Sequence, residues 1–134
     1  MSELAVGDVV AERTVHLTRE SLVRYAGASG DFNPIHYRDD VARRVGLEGV
    51  LAHGMLTMGI AIGTITEWLG DPARLIDYGV RFAKPVFVDA EDGADVAVVA
   101  KVGRLDDDEA RIDFVVKHGE TTVLVKAQAR VSLA

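Results

Sequence analysis

Two stretches, Arg111–Lys117 and Thr121–Leu133, alternate apolar and polar residues, and a period of two leaves few folds open to the chain. Successive side chains of a strand point to opposite faces, so such a stretch reads as strands with one buried face and one wet face. Asp95–Arg104 is rich in valine, Asp106-Asp107-Asp108 makes a polar turn, and Arg111–Lys117 sets Ile112, Phe114 and Val116 on one side. His118-Gly119-Glu120 turns the chain again, and Thr121–Leu133 aims Val123, Val125, Ala127, Ala129, Val131 and Leu133 inward. Short turns between long alternating runs predict an antiparallel meander. One more strand precedes it, Leu75–Val88, bent at Pro85.

The first half of the chain has another character. Glu12–Leu17 reads as a strand, and Thr18 can cap the helix that follows, with Glu20 in its first turn. Leu22, Tyr25 and Ala26 share a helical face, and Gly27, Gly30 and Pro34 end that helix in a turn. A second short helix is predicted over Arg38–Val45, closed by Gly46. Met55–Leu69 is the most apolar segment. It carries Thr57, Thr64, Thr66 and Glu67 and falls short of the ~20 residues a bilayer crossing needs, so it reads as one central helix covered by a sheet. Gly59 and Gly63, one turn apart, would let strands approach it closely. Helices and strands are segregated along the chain, which indicates α+β. The arrangement is similar to a hot-dog fold, a curved antiparallel sheet wrapped around a central apolar helix. One sheet edge would be left open, so a dimer is expected.

With 134 residues and no linker-like tract, residues 1–134 are read as one domain. Of these, 49% are hydrophobic and 27% charged, a globular composition. There is no cysteine, which excludes a disulfide framework, a thiolate nucleophile and a Cys-ligated metal, and fits a cytoplasmic enzyme. The first residues lack a basic start followed by an apolar run, so no signal peptide is expected. A net charge of -6 and a pI near 5.1 argue against nucleic acid or an anionic membrane as the main partner. A few local cations could still bind an anionic ligand.

Chemistry concentrates in Gly30-Asp31-Phe32-Asn33-Pro34-Ile35-His36. Asp31 and His36 bring a carboxylate and an imidazole to one stiff turn, where they can share the two protons of a water addition or elimination. Alone, either residue would pass as ordinary, since Asx residues favour turns and surface histidines are common. The string G-D-x-N-P-x-H, continued by Ala42, resembles the signature of the MaoC-like, (R)-specific enoyl-thioester hydratases, or hydratase 2. That resemblance implies reversible hydration of trans-2-enoyl thioesters and dehydration of (3R)-hydroxyacyl thioesters. Asp31 and His36 would be the catalytic acid/base pair, with the acid and base labels left open. Asn33 would orient the turn or a ligand group, and Pro34 would restrain the backbone before His36.

Ala52-His53-Gly54-Met55 opens the apolar segment and resembles the usual start of the central helix in that family. A backbone N–H at a helix N-terminus can stabilise charge on a thioester carbonyl, and Gly54 has no side chain to obstruct it. His53 is read as structural. Arg81-Phe82-Ala83-Lys84-Pro85-Val86 resembles the family's R-F-x-x-P-V strand, which often continues Pro-Gly-Asp where this chain has Phe87-Val88-Asp89. Arg81 and Lys84 could meet phosphates of a CoA or phosphopantetheine arm, or be a solvated strand surface. Met55, Met58, Ile62 and Trp68 could line the acyl site or be simple core.

From Tyr25 to Ile60 the wording is especially similar to the catalytic β subunit of actinobacterial (3R)-hydroxyacyl-ACP dehydratases. That implies an acyl-CoA or acyl-ACP substrate, no cofactor or metal, and either a homodimer or a heterodimer with a related hot-dog subunit. Two alternatives stand beside it: a hot-dog thioesterase, and a non-catalytic subunit of a dehydratase heterodimer. The Asp31/His36 pair speaks against both.

Overall fold

The computed structural model describes residues 3–134. Strand β1 (Val9–Leu17) is followed by helix α1 (Arg19–Ser29), a 3-10 turn at Pro34–His36 and helix α2 (Asp39–Arg44). Helices α3 (Gly54–Gly63) and α4 (Thr66–Leu69) and a second 3-10 turn, Pro72–Arg74, lead to β2 (Leu75–Phe82), β3 (Ala94–Leu105), β4 (Glu109–His118) and β5 (Thr121–Ser132). The five strands form one antiparallel sheet in the order β1-β3-β4-β5-β2. Among the described residues no helix is long and apolar enough to cross a membrane.

The alternation read from the sequence lays down the core. Val96, Val98, Ala100 and Val102 of β3 and Ile112, Phe114 and Val116 of β4 are all buried, and they pack with Ala61 and Ile65 from the helical layer. Each fully buried valine or isoleucine contributes about 1.5–3 kcal/mol relative to exposure, which makes this face the main source of stability. Tyr78 ties the layers together. Its hydroxyl donates to the Met58 carbonyl at 2.7 Å, and burial pushes its pKa up to about 12.

Strict alternation fails in β5. Between the pairs Phe114–Ala127 and Val116–Leu124, β4 advances two residues and β5 three. The extra residue makes a bulge, and Lys126 there has φ +49°. Val123 and Leu124 are consequently both buried, while Val125 is only half-buried.

The expected strand Leu75–Val88 also divides. β2 ends at Phe82, because Pro85 has a fixed φ and no N–H to give to a ladder. Beyond it the chain pairs elsewhere. The Ala52 N–H donates to Val86 and the Val88 N–H to Val50, at 2.8 and 3.0 Å. This docks the segment before α3 against the segment after β2.

The helical layer departs from expectation as well. α1 runs through Gly27 and stops at Ser29, where Gly30 takes a left-handed φ of 80°. Its start is a capping box made by Thr18 and Ser21. The apolar segment is two helices and not one. The Thr64 hydroxyl donates back to the Ile60 carbonyl at 3.0 Å, a local bond that competes with the helix ladder at the break. Nor is α3 wrapped on every side: Thr57 and Ala61 are buried, whereas Met55 is 59% exposed and Gly59 is exposed. Among the described residues, an added Cβ at Gly59 would meet nothing within 4 Å, and one at Gly63 would meet the Arg13 guanidinium at 3.8 Å.

Candidate active site

Each turn between α1 and α2 is set by the side chain two residues earlier. Ser29 Oγ accepts the Asp31 N–H at 3.1 Å, Asp31 Oδ1 accepts the Asn33 N–H at 3.2 Å, and Asn33 Oδ1 accepts the Ile35 N–H at 3.2 Å. Pro34 starts the 3-10 turn whose last residue is His36. These local bonds carry the chain back on itself within six residues and bring Asp31 Oδ2 to 3.8 Å from His36 Nε2. The Asn33 side-chain oxygen is engaged in the turn. The His36 side chain is 8% exposed and that of Asp31 is 51% exposed, so the pair has one buried member and one facing solvent.

His36 Nδ1 lies 2.7 Å from the Leu51 carbonyl oxygen. A carbonyl only accepts, so Nδ1 carries the proton, and Nε2 of the neutral ring presents a bare lone pair toward Asp31. Leu51 is itself held, by an N–H bond to the Ile35 carbonyl and a bridge to Phe87. The gap of 3.8 Å is too long for a direct hydrogen bond and suits one small hydroxylic group between the two atoms.

A network keeps this corner in place. Asp39, at the start of α2, accepts the Val50 N–H and the Arg19 guanidinium, each at 3.0 Å, while Arg19 also donates to the Val88 carbonyl. The Val50 N–H, helped by the Arg19 guanidinium, holds the Asp39 carboxyl below the usual carboxylate range despite the opposing effect of burial, which exceeds that of the Arg19 bond.

His53 is buried at the end of the loop that enters α3. It stacks on His36 with ring centroids 3.8 Å apart, takes the edge of Tyr25 at 4.7 Å, and has Nε2 at 3.2 Å from the Asp31 carbonyl oxygen. Burial pushes its pKa down, which keeps the ring neutral. Asp31, His36 and His53 have potential ligand atoms within 4.8 Å of one another. Stacked rings direct their in-plane lone pairs side by side and do not converge on one ion, so the geometry suits a stacked pair better than a metal centre.

Gly54 is the first residue of α3, where an N–H has no acceptor inside the helix. It opens onto a cavity of about 260 Å³ lined by Thr57, Phe82, Pro85, Val86 and Leu124, with Lys84 also on its wall. The Phe82 ring lies over the glycine, 3.0 Å from where a Cβ would stand. Arg81 and Lys84 part company. Arg81 lines a groove of about 370 Å³ on the other face of the sheet, with Arg111, Lys126 and Arg130. Met55, Met58, Ile62 and Trp68 are absent from the walls of the Gly54 cavity. Phe82 and Leu124 stand there instead. The sequence signals only that Phe82 precedes the Ala83–Pro85 break, and Leu124 is hidden by the bulge.

Residues 3–125 match a protein family described as the MaoC-like domain. The 3-hydroxyacyl-thioester dehydratase X of Mycobacterium tuberculosis is 40% identical over 83 residues, which are 62% of this chain and 29% of that protein. A solved MaoC-like dehydratase superposes with a TM-score of 0.94 at 36% identity, over 98% of this chain and 41% of its own. An R-hydratase from Pseudomonas aeruginosa, solved without ligand, superposes with a TM-score of 0.80 at 27% identity, over 99% of this chain and 83% of its own. The α+β hot-dog arrangement is thereby the fold of this chain, which spans less than a third of the mycobacterial relative's length.

Proposed function

The chain belongs to the MaoC-like domain family, and from that premise we propose that it hydrates trans-2-enoyl thioesters and, in reverse, dehydrates (3R)-hydroxyacyl thioesters. The observation that carries this reading is the Asp31–His36 pair, 3.8 Å apart, with the His36 proton held away on Nδ1. Water between Oδ2 and Nε2 gives up a proton as its oxygen bonds to C3. The C2–C3 π electrons move toward the thioester carbonyl, and C2 then takes a proton at the same site. The pair shares both transfers, so its joint protonation state matters more than a label on either residue. The Gly54 N–H, at the positive end of α3, stabilises the enolate-like oxygen. The thioester itself acidifies C2, so the chemistry calls for no redox cofactor or metal.

The acyl carrier is CoA or an acyl carrier protein, and Lys84 beside Gly54 is the cation suited to a phosphate of its arm. Arg81 lines a separate groove with Arg111, Lys126 and Arg130. The assembly is a homodimer or a heterodimer with a related hot-dog subunit, since β1 and β2 both end the sheet with unpaired edges.

Hydration of trans-2-crotonyl-CoA by the purified protein, followed as loss of enoyl absorbance, tests the reading. Asp31→Asn and His36→Ala should each lower kcat at least ~100-fold, with a 3R product. Release of free thiol, or full activity in either variant, would overturn it.

A further inference from the structure

Beneath the Asp31–His36 pair lies a third titratable group that the proposed reaction does not use. His53 is 1% exposed. The carbonyl oxygen of Asp31 accepts from its Nε2, so Nε2 carries the proton, and Nδ1 is a lone pair buried without a partner among the described residues. A second proton would have to sit on Nδ1, where no acceptor meets it. Burial, and then the neighbouring His36, push the ring toward neutrality; the Asp31 carbonyl and carboxylate pull the other way and are outweighed. The Tyr25 ring packs against His53 in an edge-to-face arrangement, centroids 4.7 Å apart.

We propose that His53 is a positioning residue: through one N–H and one ring face it fixes the Asp31 backbone and the plane of the His36 imidazole together. The proposal rests on the hydratase reading above. The bond to Leu51 fixes one atom of His36 and leaves the ring free to pivot about it. A flat neighbour 3.8 Å away, inclined by 20°, stops that pivot. Asp31 follows the left-handed Gly30 and has a half-exposed side chain, so its backbone needs an anchor from outside the turn. His53 supplies both restraints from the residue preceding Gly54, and so links the acid/base pair to the helix start. A misplacement of ~1 Å in such a site costs on the order of 100-fold in rate.

Two measurements on the full chain test this. In two-bond 15N–1H spectra of the wild type, His53 should keep its single proton on Nε2 from about pH 5 to pH 8, where an ordinary histidine titrates. A second proton gained in that range overturns the proposal, whatever the protein catalyses. In kinetics with trans-2-crotonyl-CoA, His53→Phe keeps the ring and loses the donor. Its kcat should fall about 10–100-fold with KM within about twofold. His53→Gln, which restores an N–H donor, should regain about half or more of that loss on a logarithmic scale. Two folded variants with wild-type kcat overturn the proposal, and so does equal loss in both with KM rising in parallel. A wild type that fails to hydrate crotonyl-CoA removes the hydratase reading instead and leaves the spectra to decide on His53.

Discussion

A methyl group at Gly54 would stand 3.0 Å from the Phe82 ring, close enough that something must give, and Phe82 is 53% exposed and able to move. Gly54→Ala should therefore fold, with the displaced ring intruding on the cavity in front of the helix start. On the proposed function, kcat/KM for crotonyl-CoA falls about 10–100-fold, and Gly54→Ala/Phe82→Leu recovers part of the loss because the smaller side chain gives way. Identical losses in the single and double variants would refute the steric account. The same residues show why some of the site was readable in advance. Asp31, Asn33 and His36 lie within six residues and are brought together by bonds between near neighbours, so their proximity was written into one stretch. The Leu51 carbonyl and the His53 ring reach the same corner from a segment held by pairing between residues 50–52 and 86–88, a long-range contact that no local pattern reports. Arg81 and Lys84 read alike as cations of one strand motif, but β2 ends at Phe82 between them, and they line different grooves.

In β5 one residue is held where most side chains are strained. Lys126 is the one non-glycine with a positive φ among the described residues, and it occupies the bulge opposite β4 and β2. The left-handed region costs an L side chain about 1 kcal/mol that glycine does not incur. Lys126→Gly should raise stability by about 0.5–1 kcal/mol, read as a higher midpoint in urea, while Lys126→Val should lower it because branching at Cβ suits that region least. A destabilised glycine variant would mean that the lysine side chain contributes more than its backbone costs. The bulge also explains where the sequence misled. Alternation located all three strands of the meander and most of their buried residues, but it has no sign for one inserted residue, so it set Val125 inward and missed Leu124. The apolar run 55–69 misled in another way. Composition gives no sign of the break between α3 and α4, where the Thr64 hydroxyl bonds back onto the Ile60 carbonyl.

The molecule as a whole carries two open edges that are not alike. β1 presents Glu12, Arg13 and His16 along its length, the charges that discourage edge-to-edge pairing. β2 has Ile76 at 46% and Phe82 at 53% exposure, and it adjoins α3, whose Met55 and Gly59 face outward. That apolar side joins an edge strand to an uncovered helix face, and we propose it as the face on which a second hot-dog unit docks. The sheet covers α3 on its Thr57 and Ala61 side and leaves this side uncovered within one chain. If the partner is a second copy, light scattering at tens of micromolar should give twice the 14.4 kDa of one chain. Ile76→Lys on β2 should return it to a monomer, since a charge on that edge must be desolvated on pairing. Val9→Lys on β1, where the native residue is 48% exposed, should leave the dimer intact. A dimer split by Val9→Lys and not by Ile76→Lys would move the interface to the other edge. A wild type that is monomeric alone and doubles only with a related subunit would identify the partner as that subunit, still docked on β2 if Ile76→Lys abolishes the pairing.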